Sequence, residues 1–317
     1  MADKQKNASL AQYVDPFRVD GSREFHLSRY KTAEKGDLDK ASAQDLIEAN
    51  RGKLRELQAK LYAHDRWSLL LIFQGMDAAG KDSAIEHVMA GVNPQGCQVR
   101  SFKTPTSDEL DHDFLWRAAI HLPERGRIGI FNRSYYEECL IVRVHPEILD
   151  GQKLPPKLVT KNIWKERFED IRAFETHLAR NGTVVLKFFL HLSKEEQRQR
   201  FLARLEQPAK NWKFSMSDVS ERKLFDKYQA AYQDLIRKTS TPTAPWHVVP
   251  ADHKWFSRAV IGSTIVSTLE KLDLSYPKVA ANDRKEFPSI REALEKEGRG
   301  ARSPASKRAA DRKTGSS

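Results

Sequence analysis

Cysteine is nearly absent from this chain: Cys97 and Cys139 are the only two among 317 residues. Two cysteines cannot build a disulfide scaffold, and without a Cys-x-x-Cys pair a structural zinc site has no ligands. Ten histidines are scattered with no His-x-x-x-His pair, which argues against a histidine metal centre. Long apolar runs are missing too. The longest clear one, Leu69 to Phe73, is far too short to span a bilayer. Met1 to Asp15 is polar and lacks the apolar centre of a signal peptide. These absences lead us to expect a cytoplasmic protein outside the secreted and integral-membrane classes. Internal repeats are absent, and no Pro/Gly/Ser-rich linker divides the body of the chain.

What is present is positive charge. Lys and Arg number 54 against 43 Asp and Glu, a formal net charge of +11. The excess implies an anionic partner, whether nucleic acid, a membrane surface or a phosphorylated molecule or polymer. It is unevenly placed. Residues 298–317 carry six basic side chains and only Asp311 as an acid, a net +5 in a Gly/Ala/Ser/Pro-containing tail that we expect to be disordered. Residues 198–213 hold Arg198, Arg200, Arg204, Lys210 and Lys213 against Glu206, a net +4. Arg200 and Arg204, four apart, share a helix face.

Between these features the pattern alternates strand and helix. Helical periodicity runs from Ser42 to His64, and Trp67 to Phe73 reads as a strand buried on both faces. Weaker strand signals lie at Gln98–Phe102 and Arg127–Phe131, with strong ones at Thr183–Leu192 and Trp246–Val249. Helices are predicted from Thr106 to His121, Pro156 to Asn181, Ser193 to Leu205, Asp218 to Lys238 and Trp255 to Leu272. This order predicts a three-layer α/β/α domain with a mainly parallel sheet and an inserted basic helical lid. The expected organisation is an N-terminal extension over 1–41, a domain over 42–275 with its lid around 198–222, and a C-terminal extension over 276–317.

The sharpest motif is Gly75-Met76-Asp77-Ala78-Ala79-Gly80-Lys81-Asp82-Ser83, a P-loop between a buried strand and a helix. Its glycines let backbone N–H groups turn inward as an anion nest, the helix start adds partial positive charge, and Lys81 supplies a full one. Gly75, Ala78, Ala79, Gly80, Lys81 and Ser83 are therefore candidate phosphate contacts. Asp82 stands where most P-loops have Ser or Thr, and Asp77 adds a second carboxylate. Two carboxylates facing a phosphate call for a cation, so Asp77 and Asp82 are candidate magnesium ligands, with manganese as the alternative ion.

A second constellation is Ile128-Gly129-Ile130-Phe131-Asn132-Arg133-Ser134-Tyr135-Tyr136-Glu137. Its strand end puts Asn132 and Arg133 at the carboxyl edge of the sheet, where ligands bind, and Arg133 can neutralise a transferring phosphoryl group. Arg200, Arg204, Lys210 and Lys213 on the lid suit a long anionic substrate. Tyr135, Tyr136, Trp212 and Trp246 can each stack on a base or pack in the core.

Taken together these residues resemble the polyphosphate kinase 2 family. The resemblance rests on Gly75-x-Asp77-x-x-Gly80-Lys81-Asp82, on Phe131-Asn132-Arg133-Ser134-x-Tyr136-Glu137, and on the run Arg204-Leu205-x-x-Pro208-x-Lys210-x-Trp212-Lys213-Phe214-Ser215. It continues through Asp218, Tyr228, Thr239–Thr241, Ala244–Trp246 and Asp252-x-Lys254, and Asp15–Val19 fits as well; it covers roughly residues 15–272. The resemblance implies a thymidylate-kinase-like P-loop fold and magnesium-dependent phosphoryl transfer between inorganic polyphosphate and nucleotides. It implies catalytic roles for Asp77, Lys81, Asp82 and Arg133, nucleotide contacts by Asn132, Arg133, Tyr136 and Glu137, and a homodimer or homotetramer. The Asn-Arg-Ser-x-Tyr-Glu form looks like the subgroup that accepts AMP as well as ADP, with GMP and GDP as further candidates. The rival readings are an ATP-dependent kinase of a nucleotide or small metabolite, and a P-loop protein that binds a polyanion or nucleic acid without turnover.

Overall fold

Eight consecutive buried residues, Ser68–Gly75, form the central strand β2 of a six-stranded sheet. The computed structural model describes residues 10–300, with side chains described through residue 297. Around β2 lie β1 (Arg18–Val19), β3 (Cys97–Ser101), β4 (Ile128–Asn132), β5 (Thr183–His191) and β6 (Trp246–Pro250) in the order β1-β6-β5-β2-β4-β3. All neighbours pair in parallel except β1, which runs antiparallel along β6. The expected α/β/α domain with a mainly parallel sheet is therefore what the chain forms.

A strand buried on both faces needs helices on both sides. On one side pack α1 (Lys40–His64), α2 (Lys81–Val88) and, further along the chain, Lys254–Glu270; Leu54, Leu61, Val260 and Ile265 meet Leu69, Leu71 and Phe73 there. On the other pack α3 (Ile163–Arg180) and the later helix Phe225–Thr239, whose Ile171, Tyr232 and Leu235 meet Leu70, Ile72 and Phe189. After β5 come α4 (Lys194–Glu206), a short helix Pro208–Asn211, α5 (Met216–Lys223), α6 (Phe225–Thr239) and, after β6, α7 (Lys254–Glu270). No described helix is long and apolar enough to cross a membrane.

Three predicted helices are shorter or split. Thr106 does cap its helix, in a capping box with Glu109, but the helix ends at Leu110. Asp113 then starts a new turn by accepting from the Leu115 N–H at 2.9 Å, and Trp116–Ala119 follows. The helix predicted from Pro156 begins only at Ile163, because Pro156–Leu158 forms a tight 3-10 turn. The one predicted from Asp218 starts two residues earlier, where Ser215 and Asp218 form a capping box, and it breaks at Leu224 into α5 and α6.

The chain divides into two compact units, Met1–Ser275 and Tyr276–Ser317. The second contains α8 (Ala281–Gly300). The basic tail expected from about residue 298 lies, from residue 301 on, outside the described residues.

Candidate active site

The glycine-bearing loop leaves β2 at Gly75 and enters α2 at Lys81. Gly75 is tightly enclosed: a Cβ there would lie 3.1 Å from the Leu190 carbonyl oxygen and from the Ala79 Cβ, so its neighbours would have to give way. Ala78 (φ +62°) and Gly80 (φ +99°) take left-handed backbone conformations, so the peptide planes turn sharply within the loop. No side chain caps α2, and the first intrahelical bond is Ala84 N–H to Gly80 oxygen at 2.9 Å. The N–H groups of the first turn are thus left for a ligand, with the helix dipole behind them.

Lys81 folds back over this loop. Its Nζ donates to the carbonyls of Gly75 (2.7 Å) and Met76 (3.3 Å). Dehydration in the cleft, reinforced by the nearby Arg133 charge, lowers its pKa to about 8. Asp77, Glu137 and Asp82 pull the other way but do not cancel the burial.

β4 brings the second group alongside. Phe73 and Asn132 pair across β2 and β4, and the Arg133 N–H continues the ladder to the Phe73 oxygen at 3.0 Å. Arg133 itself is left-handed (φ +63°), a strained conformation for a side chain of its size. That turn delivers its guanidinium to Asp77 at 3.0 Å. Arg133 is held charged more firmly than usual, first by Glu137 and then by Asp77. Asn132 donates to Asp82.

These residues line a cleft of about 670 Å³ that also takes in Ser83, Arg200, Arg204, Lys210 and Lys213. Sequence reasoning missed two of its cations as site residues, Lys103 and Lys254. Lys254 begins α7 and was visible only as part of the family run Asp252-x-Lys254; Lys103 carried no signal at all. Burial, and then the charges of Arg200, Lys210 and Arg258, lower the Lys254 pKa. The cleft therefore concentrates positive charge in excess of its own acids, which is the electrostatic condition for holding a polyanion.

Two predicted roles do not fit the geometry. Tyr136, expected at the nucleotide, is fully buried, and its hydroxyl donates to Glu175 at 2.7 Å. Its aromatic ring packs edge-on to Trp246 in the core, so its side chain cannot reach a ligand. Arg200, expected on polyphosphate, is only 9% exposed and spends its donors on backbone carbonyls and on Glu196. Among the other aromatics, Tyr135 and Trp246 are buried, whereas Trp212 is 78% exposed with Lys213 Nζ 5.0 Å from its ring centre. Ser83 Oγ accepts from Arg258 at 2.9 Å. Arg204 pairs with Asp218 at 3.1 Å.

A second cleft of about 400 Å³ opens on the far side of Arg133 and shares Arg133, Phe102 and Lys103 with the first. Its walls include Phe114, Val142, Ile148 and Leu154, with Gln152 and Arg167 among them. The Arg167 guanidinium lies 4.5 Å from the Phe114 ring centre and its Nε donates to Glu138 at 3.0 Å. The slot sets these apolar walls among charged side chains, including Glu109, Arg117, Arg133 and Glu137, and apolar walls with placed polar groups are what a heterocyclic ligand needs. Sequence reasoning did not foresee it.

Among the described residues no three His, Cys, Asp or Glu side chains gather into a metal-holding group. Asp77 and Asp82 nevertheless offer hard oxygen donors beside the loop, and each engages its protein partner through one oxygen only, Asp77 with Arg133 and Asp82 with Asn132. Two carboxylates with phosphate oxygens and water completing the shell fit magnesium, which is ordinarily held that way.

Residues 37–277 match the model of the polyphosphate kinase 2 family. The ADP-polyphosphate phosphotransferase of Rhodopseudomonas palustris is 49% identical over 280 residues, covering 88% of this chain and 97% of that protein. The AMP/ADP-polyphosphate phosphotransferase of Meiothermus ruber is 42% identical, covering 83% and 95%. The crystal structure of polyphosphate kinase 2 from Arthrobacter aurescens superposes with a TM-score of 0.79 at 37% identity, covering 87% of this chain and 96% of that one. With three-quarters of its length matched to the family and both relatives covered almost end to end, the chain belongs to the polyphosphate kinase 2 family.

Proposed function

We infer that the chain is a phosphotransferase that moves phosphoryl groups between inorganic polyphosphate and nucleotides. The observation that carries this reading is the pair of clefts meeting at Arg133. One is cationic and built on the Gly75–Ser83 loop, and the other, about 400 Å³, sets the apolar side chains Phe114, Ile148 and Leu154 among charged ones and has room for a nucleoside. A polymer threaded past Lys81, Lys210, Lys213 and Lys254 would present a terminal phosphoryl group to a nucleotide seated beyond Arg133. The nucleotide's phosphate oxygen is already ionised at neutral pH, so no strong general base is required. Catalysis is then alignment and charge neutralisation. Lys81 and Arg133 neutralise the transferring group, and the loop amides hold its neighbour. Magnesium at Asp77 and Asp82, when bound, would supply Lewis-acid polarisation of phosphate oxygens. The helices from α4 to α5 act as a lid that excludes water and so suppresses hydrolysis.

The direct test is incubation with magnesium, long-chain polyphosphate and AMP or ADP, without ATP. ATP formation is expected, and its absence from every nucleotide sinks the reading. An ATP-dependent kinase of another acceptor would instead need ATP as donor.

Two finer points belong to the same reading. AMP is accepted as well as ADP, a reading supported by the Asn132 and Glu137 form of the motif and by the 42% identity to the AMP/ADP-polyphosphate phosphotransferase of Meiothermus ruber; in the structure Asn132 donates to Asp82. Asn132→Asp is expected to shift the ratio of AMP to ADP turnover about tenfold toward ADP, read by competition in one reaction. Phe114 is a wall of the base pocket. Phe114→Ala should raise the nucleotide KM about tenfold while leaving the polyphosphate KM within twofold, the loss expected for one base-stacking surface.

A further inference from the structure

The carbonyl groups of three successive P-loop residues are all held by two side chains of one helix. Gln197 Nε2 donates to the Asp77 oxygen at 3.0 Å. Arg200 Nη1 donates to the Ala78 and Ala79 oxygens at 3.0 and 2.9 Å. Its Nη2 reaches the Ala251 and Asp252 oxygens at 2.6 and 3.3 Å, in the loop after β6, and its Nε pairs with Glu196 at 2.8 Å. The guanidinium is thus saturated, and both side chains are nine-tenths or more buried.

In a planar trans peptide the C=O and the following N–H point in opposite directions. Pinning a carbonyl toward α4 therefore aims the next N–H away from α4. The Asp77 and Ala79 carbonyls govern in this way the amides of Ala78 and Gly80. The Ala79 amide closes the turn on the Met76 oxygen at 3.1 Å. Ala78 sits in a left-handed conformation that a residue with a side chain holds only under restraint; its carbonyl is one of the two on Arg200 Nη1. From Gln197 the link continues to α5, because Arg222 Nη1 donates to the Gln197 Oε1 at 2.8 Å and to the Lys194 oxygen at 2.7 Å.

We propose that Gln197 and Arg200 are positioning residues: they orient the amide dipoles of the phosphate nest from behind, and Arg222 ties that orientation to the lid helix α5. Arg200 acts on phosphate through the backbone and not through its own charge. The proposal rests on the reading of this loop as a phosphate site in the enzyme proposed above.

The test uses the whole chain with Gln197→Met, Arg200→Lys and Arg222→Met. Tripolyphosphate, which carries no nucleoside, is titrated by calorimetry, and polyphosphate and nucleotide KM are measured separately with kcat. Gln197→Met is expected to weaken tripolyphosphate binding about tenfold and lower kcat by at least as much, with the nucleotide KM within about twofold. Arg200→Lys keeps the charge but loses the planar fork, so a positioning role predicts a loss of about tenfold or more. Arg222→Met, one bond further away, should give a smaller loss of about threefold. Wild-type tripolyphosphate affinity in Arg200→Lys would mean that the charge alone matters and would overturn the proposal. So would Gln197→Met with tripolyphosphate affinity and kcat within about twofold of wild type, or a loss shared equally by the nucleotide KM. Should Arg200→Lys fail to fold, Gln197→Met carries the test. Failure of the activity assay in the wild type would count against the enzyme reading, while the tripolyphosphate titrations would still judge the nest.

Discussion

Lys81→Met is expected to lower kcat/KM by about 10³-fold while leaving the protein folded. The side chain folds its charge over the loop, with its Nζ 2.7 Å from the Gly75 oxygen, whereas the other cation on the loop, Arg200, is buried and has all its donors used. Removing one preorganised donor from a developing oxyanion costs about 10² to 10³ in rate, and a desolvated cation is at the upper end of that range. Stability should move little or rise. A lysine whose pKa is lowered to about 8 is harder to charge in the folded state than in the unfolded one, so its charge opposes folding below that pH. Thermal unfolding and steady-state kinetics on the same preparation separate the two effects. The same shift sets a pH profile. Below about 8 the free enzyme carries the Lys81 charge, and above it that charge is lost. The wild-type kcat/KM for polyphosphate should therefore fall as pH rises through about 8, and the Lys81→Met residual activity should lack that limb. A Lys81→Met enzyme with normal turnover would remove Lys81 from the mechanism.

The second large effect is on stability alone. Lys187 has no exposed surface, and it lies in the middle of β5 with Nζ 2.6 Å from Glu175 on α3. The same ammonium donates to the Tyr136 hydroxyl and the Thr239 carbonyl, both at 2.9 Å. Glu175 in turn accepts from the hydroxyls of Tyr135 and Tyr136. Every charge is paired and every donor used, which is the condition for tolerating ions in a core. Lys187→Met leaves Glu175 buried without its cation, and removing one partner of a buried pair costs about 3–5 kcal/mol. The expected fall in Tm is about 10 °C, with a matching fall in the urea midpoint at constant slope. Glu175→Gln keeps an acceptor but leaves the Lys187 ammonium buried without its anion, so a loss of the same order is expected, and the double variant Lys187→Met/Glu175→Leu should recover most of the loss. If Lys187→Met unfolds at the wild-type temperature, the pair contributes nothing. The Lys187 charge resists burial, which lowers its pKa, so the pair is a device that fixes α3 on the sheet more than a gain in stability.

The parts of the site that could be read from the sequence are those contiguous in it. Gly75 to Ser83 is a loop whose conformation is set by its own glycines and by a strand and helix that announce themselves by burial pattern. Asn132 and Arg133 could be placed because a short apolar strand ends there. Arg200 was read by its charge, but a helix face says nothing about a loop more than 120 residues upstream, and only the docking of α4 on Asp77–Ala79 turned its guanidinium inward. Tyr136 sat in the correct motif with its side chain on the opposite face of the turn. Lys187 was hidden inside a run that otherwise reads as a buried strand. The second cleft draws its walls from Phe102 to Arg167, so no local window contains it. Helix ends were misjudged where Asp113, Pro156 and Ser215 imposed turn or cap chemistry on an apolar pattern that seemed continuous.

The two-residue strand β1 has a role unconnected with catalysis. Without it β6 would terminate the sheet with a row of unpaired backbone groups from Trp246 to Val249, all of them buried hydrophobic or neutral residues. Such a flat apolar border is a template on which another chain can add a strand. Arg18 and Val19 occupy His247 and Trp246 in the antiparallel sense, opposite to the rest of the sheet, and Pro250 at the other end of β6 has no N–H to offer. On the far border, β3 is exposed and carries Arg100. The molecule thus guards one sheet margin with a piece of its own N-terminal segment and the other with charge, and a chain trimmed past Val19 would keep its Gly75–Ser83 loop yet open the β6 edge to strand addition by another chain.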